Sequence, residues 1–92
     1  MLNDDIIIEN VTASVNINPV DLEELNERLN DAVLNYTLNK ENGIETPLSI
    51  LYTNNDDIGI VLFNDGRLVS IQATTIEDAK NSIIDFVEKY IE

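Results

Sequence analysis

Ninety-two residues, 43% of them hydrophobic and 25% charged, make one folded domain over 1–92 with a thin core, not a disordered chain. Cys and His are both absent, which removes disulfides, thiolate metal sites, the commonest general base and the commonest zinc ligand. Eighteen acids against five scattered bases (Arg28, Lys40, Arg67, Lys80 and Lys89) set the net charge at −13, so nucleic acid and anionic membrane are repelled at long range.

Residues 6–17 predict the first strand. From Asn10 onward Val11, Ala13, Val15 and Ile17 alternate with Asn10, Thr12, Ser14 and Asn16, the pattern of a strand covered on one side only. Asn18 is placed to cap a helix beginning at Pro19, with Asp21, Glu23 and Glu24 in its early turns and Leu22, Leu25 and Leu29 as its buried stripe. Residues 32–37 read as a short edge strand and 40–43 as a turn. Residues 47–52 read as the next strand, with Pro47 confined to its start. Asn54-Asn55-Asp56-Asp57 is a polar turn; it lacks the spaced ligands and distal Glu of a calcium loop.

The stretch 58–73 organises the rest. Two apolar runs flank Asn64-Asp65-Gly66, a triplet that closes a three-residue hairpin loop if Gly66 takes a positive φ. Thr75 then caps a final helix with Asp78 three residues on, and Ile76, Ala79, Ile83, Val87 and Tyr90 keep a helical period that should lie on the sheet. The acidic start of the chain lacks the basic segment of a signal peptide, and no apolar run is long enough to span a bilayer; a cytoplasmic, membrane-free protein is expected.

The order β-α-β-β-β-β-α predicts an α+β fold, a two-layer domain with a five-stranded antiparallel sheet and two helices on one face. The other face has no cover. In the strand phases read from the pattern it carries Asn10, Thr12, Ser14, Leu48, Ile50, Tyr52, Val61, Phe63, Arg67, Val69 and Ile71, a larger apolar patch than monomers usually expose. Phe63 depends on that phase, because a slip of one residue would bury it. Glu23, Glu24 and Glu27 read as a solvated helix face. With no Gly-rich phosphate loop and no nucleophile–base set, neither catalysis, a cofactor nor a small-molecule substrate is expected.

Two segments carry a family resemblance. Ile8-Glu-Asn-Val-Thr-Ala-Ser-Val15 is similar to the first strand, and Ile60-Val-Leu-Phe-Asn-Asp-Gly-Arg-Leu-Val69 to the central hairpin, of the TATA-box binding protein family. That family joins two tandem repeats of this unit into a saddle, and this sequence resembles one repeat over nearly its whole length. The resemblance implies a concave sheet face that lies on the DNA minor groove, with an Asn on A·T base edges and Phe wedges that unstack base steps. Asn10, Phe63, Arg67 and Val69 stand at the matching positions.

Thr46 falls where the partner wedge belongs, Tyr52 where a backbone-contacting Arg does, and Gln72 where a glycine follows the fifth strand. Residues 53–57 replace a basic loop with Asn and Asp. The expectation is therefore a non-enzymatic binding module, related to transcription or nucleic-acid machinery, that pairs with itself as a homodimer or docks a protein of the transcription machinery. The alternatives are A·T-rich minor-groove binding as a homodimer, disfavoured by the charge of −13, and an acidic nucleic-acid mimic.

Overall fold

The structure, a computed structural model, describes residues 5–9, 11–29 and 32–92. Its elements are β1 (Ile7–Glu9), β2 (Thr12–Asn16), α1 (Leu22–Arg28), β3 (Val33–Asn39), β4 (Ile44–Thr53), β5 (Gly59–Phe63), β6 (Arg67–Ile71) and α2 (Ile76–Phe86), with a π-helical turn at Val87–Ile91. The sheet has six strands rather than five, all antiparallel, in the order β1-β2-β6-β5-β4-β3. The extra strand comes from residues 6–17, which divide into β1 and β2 with Glu9 opposite Thr12. The sequence marks the division: Ile6-Ile7-Ile8 is a continuous apolar run, and alternation starts only after it.

Asp21, not Asn18, caps α1. Its carboxylate accepts from the Glu23 and Glu24 amides at 3.1 and 3.2 Å, where the positive end of the helix dipole also favours it. Leu22, Leu25 and Leu29 are buried, as their spacing predicts. Thr75 caps α2 by accepting from the Asp78 amide at 3.0 Å. The α2 stripe begins later than its period suggested, since Ile76 is 50% exposed while Ala79, Ser82, Ile83, Phe86 and Val87 are buried.

Both helices cover one face of the sheet. Two cross-strand rows point at them: Ala13, Ser70, Ile60 and Tyr52, then Val15, Leu68, Leu62, Ile50 and Leu34. Inside this core Ser82 Oγ donates to the Ala79 carbonyl at 2.7 Å, which uses its one proton. Ser70 Oγ, 2.7 Å away, is therefore the donor to Ser82, and neither buried hydroxyl is left without a partner.

Pro47 lies inside β4 rather than at its start, next to a shift of the β3–β4 register where Asn35 faces Ser49 and Tyr36 faces Pro47. A ladder irregularity accommodates a residue with no N–H to donate. Asn64 ties the neighbouring hairpin loop to this point: its amide N donates to the Leu48 carbonyl at 2.9 Å and its side chain to the Pro47 carbonyl at 3.0 Å.

Gln72 has φ 68°, the left-handed conformation that glycine adopts freely. It is the same position where the resemblance leads one to expect glycine, so the backbone shape is kept while the residue is not. Gln72→Gly should therefore raise stability by roughly 0.5–1 kcal/mol, the relief of left-handed strain less the added freedom of the unfolded chain. A urea melt with a lower midpoint than wild type would show that the side chain contributes more than the strain costs.

Candidate interface on the uncovered sheet face

Register fixes which side chains share the uncovered face. A central row runs across five strands through Ser14, Val69, Val61, Leu51 and Val33. On one side of it Ile71, Gly59 and Thr53 are in line. On the other, Asn16 pairs with Arg67, and Phe63 pairs with Ser49, which faces Asn35. The guanidinium carbon of Arg67 lies 4.2 Å from the Phe63 ring centroid, a cation–π contact that bridges β5 and β6. Val61, Phe63, Val69, Ile71 and Leu51 are each half-buried by their neighbours, with no helix above them.

The face stays tightly knit because Gly59 has no side chain. A Cβ there would come within 2.9 Å of Ile71 Cγ1, so Ile71 lies across the Gly59 backbone and meets the Leu51 side. At the far end Gly66, at φ 95°, closes the Asn64–Gly66 loop and accepts the Ile17 amide at 2.9 Å. Asp65 spends its carboxylate on the Arg67 amide at 3.0 Å.

Thr12, Ser14, Val61, Phe63, Arg67, Val69 and Ile71 all fall on this face, as the strand pattern suggested. Ile50 and Tyr52 do not. Ile50 is 1% exposed in the core, opposite Leu62, and Tyr52 pairs with Ile60 beneath α2. The segment Leu48-Ser49-Ile50-Leu51-Tyr52 has apolar residues at both parities, so its alternation cannot choose a side; pairing with β5 does, and it brings Ser49, Leu51 and Thr53 to the open face instead. Leu48 sits at the register shift, 40% exposed, with its carbonyl held by Asn64. Asn10 lies outside the described residues. Thr46, at the position of the missing wedge, faces Thr37 across the β3–β4 hairpin.

On the helix side Tyr52 joins Phe86 and Tyr90, with ring centroids 5.3–5.8 Å apart. A hydrogen bond between the Tyr52 and Tyr90 hydroxyls at 3.3 Å, aided by burial, holds the Tyr52 phenol above its ordinary pKa of 10.0. A cleft of about 460 Å³ opens beside this cluster, toward Asn54 and Asp56. Asn54 is committed to its own turn, accepting from the Asp56 and Ile58 amides at 2.9 and 3.0 Å. Among the described residues no three His, Cys, Asp or Glu side chains converge.

The uncovered face is therefore the distinctive surface: an apolar row edged by hydroxyls, amides and one arginine. Neither a curated protein nor a solved structure matches the chain. A family model does, described as transcription factor TFIID (or TATA-binding protein, TBP), over residues 5–90. With that match across nearly the whole domain, and a sheet that among the described residues is bare on the side opposite its two helices, the chain belongs to the TATA-binding protein family.

Proposed function

We propose that this chain is a non-enzymatic binding module of the transcription machinery, and that its uncovered sheet face docks an apolar surface of another protein. The observation that carries this reading is the separation of charge. The chain has 18 acids, yet the uncovered face of β2, β4, β5 and β6 bears no carboxylate and a single base, Arg67. A face on which Leu51, Val61, Phe63, Val69 and Ile71 gather with one arginine and no carboxylate from these strands resembles the core of a protein interface, which is depleted of charged residues and enriched in aromatic ones.

Family members bind DNA and proteins of the transcription machinery. The protein partner fits this face better. Duplex binding draws on several Lys or Arg set against phosphates. Here one arginine faces outward, it lies on Phe63, and the turn beyond β4 holds Asp56 and Asp57. Each missing phosphate contact also removes roughly 0.9 from the salt slope of binding.

Two measurements test the reading. An A·T-rich duplex titrated at low salt, against a G·C-rich control, should show no A·T-selective complex; selective, salt-sensitive binding would assign the face to the minor groove. Immobilised protein should retain a component of the transcription machinery that Phe63→Ser loses by roughly tenfold or more, as removal of an aromatic anchor does. Retention that survives Phe63→Ser but disappears in high salt would assign binding to the acidic surface, as in a nucleic-acid mimic.

A further inference from the structure

The two edges of the sheet differ. β1 is three residues long and includes Glu9. β3 is seven residues long, pairs among the described residues only with β4, and reads Val33-Leu34-Asn35-Tyr36-Thr37-Leu38-Asn39 without a charged residue. Edge strands ordinarily carry a lysine, a proline or a bulge, or are short, because their unpaired N–H and C=O groups template another strand. β3 has none of these devices: Pro47 and the extra residue of the register shift belong to β4. It is also uncovered by apolar packing, with Val33 54%, Tyr36 46% and Leu38 55% exposed.

We infer that β3 pairs antiparallel with β3 of a second copy of this chain, so that one sheet continues through a two-fold axis at Tyr36. The pattern of β3 is self-complementary about that residue. Pairing centred on Tyr36 sets Tyr36 against Tyr36, Leu34 against Leu38 and Asn35 against Thr37, so all seven residues find partners and one side becomes an apolar row. The exposed Tyr36 and Leu38 are then covered by cross-strand neighbours, the pairs that stabilise a sheet.

Charge points to the same edge. Two copies at −13 repel each other, and the sequence of β3, unlike that of β1, holds no charged residue. The two uncovered faces stay open in this arrangement, so the dimer is independent of the partner proposed for them.

Sedimentation equilibrium on the full chain tests the pairing. Wild type should show a monomer–dimer equilibrium that shifts toward dimer as salt screens the repulsion, since the screening length falls to about 10 Å at 0.1 M. Tyr36→Lys and Tyr36→Glu should each weaken self-association by roughly tenfold or more, because each sets like charges opposite one another across the axis. An equimolar mixture of the two should restore a heterodimer. Leu38→Lys, at a still more exposed position, should weaken it likewise, and Phe63→Ser should leave it unchanged. A wild type that stays monomeric at every concentration overturns the inference. So does a mixture that fails to pair, or a dimer broken by Phe63→Ser and indifferent to Tyr36.

Discussion

Gly66→Ala should lower the unfolding free energy by roughly 3 kcal/mol or more, from a left-handed penalty of about 1–2 and an overpacking cost of about 1–3 kcal/mol. The φ of 95° is unfavourable for any L side chain, and a Cβ at that position would collide with the Ile17 carbonyl oxygen. That oxygen is backbone, so no rotamer change relieves the contact. Moving the loop away also loses the 2.9 Å bond from the Ile17 amide to the Gly66 carbonyl. A domain of this size has about 5–15 kcal/mol in total, and each kcal/mol moves the midpoint about 4–8 °C, so a thermal melt should fall by roughly 12 °C or more.

Gly43 supplies the control. It too has a positive φ, 69°, but nothing lies within 4 Å of its missing Cβ. Gly43→Ala should therefore cost only the conformational part, about 1–2 kcal/mol. Equal losses at the two glycines would mean that the contact with Ile17 does not hold the loop. The contrast has a functional side, because the Asn64–Gly66 loop joins Phe63 to Arg67, and its seat on the strand exit at Ile17 keeps Arg67 paired with Asn16.

The elements that were legible in the sequence are those with one strong local signal. Asn64-Asp65-Gly66 gave away its hairpin, and Gly66 has the positive φ that loop needs. Leu22, Leu25 and Leu29 gave away the buried stripe of α1, and Thr75 the start of α2. On the candidate face, Thr12 and Ser14 were readable because β2 alternates cleanly, and Val61, Phe63, Arg67 and Val69 because the hairpin sets β5 and β6 in fixed register. β4 was not readable, since Ile50, Leu51 and Tyr52 are apolar in succession and only the partner strand decides which of them is covered. That ambiguity hides Leu51, whose position follows once the β4 phase is pinned by Val61, and with it Val33, which β3 sets opposite Leu51. The division of residues 6–17 is hidden because β-propensity runs on between β1 and β2, and only the loss of alternation in Ile6-Ile7-Ile8 marks it. Pro19 points to Asn18 as the cap of α1, but the Asp21 carboxylate reaches two free amides and takes that place.

Leu62 and Phe63 are adjacent in β5 and should respond oppositely to truncation. Leu62 is fully buried between Ile50 and Leu68, in the row that faces the helices. Leu62→Ala removes those contacts and leaves a cavity that the two flanking strands, held by their ladders, cannot close; the loss should be about 2–5 kcal/mol in a urea melt. Binding by the folded fraction should be unchanged. Phe63 is only half-buried, and its ring is covered on one side by Arg67 rather than by core. Phe63→Ala should cost about 1 kcal/mol or less for the lost cation–π contact at a partly exposed site, and its main effect should fall on partner binding. The pair thus separates the two sides of one strand in a single experiment, since a period of two sends every neighbour to the opposite face. If Phe63→Ala unfolds the protein as readily as Leu62→Ala, the aromatic ring belongs to the core, and the uncovered face loses its anchor. If Leu62→Ala is tolerated while Phe63→Ala abolishes binding, the core does not depend on that row, and stability must reside in the packing of Ser82 and Ile83 of α2 on the row of Ser70 instead.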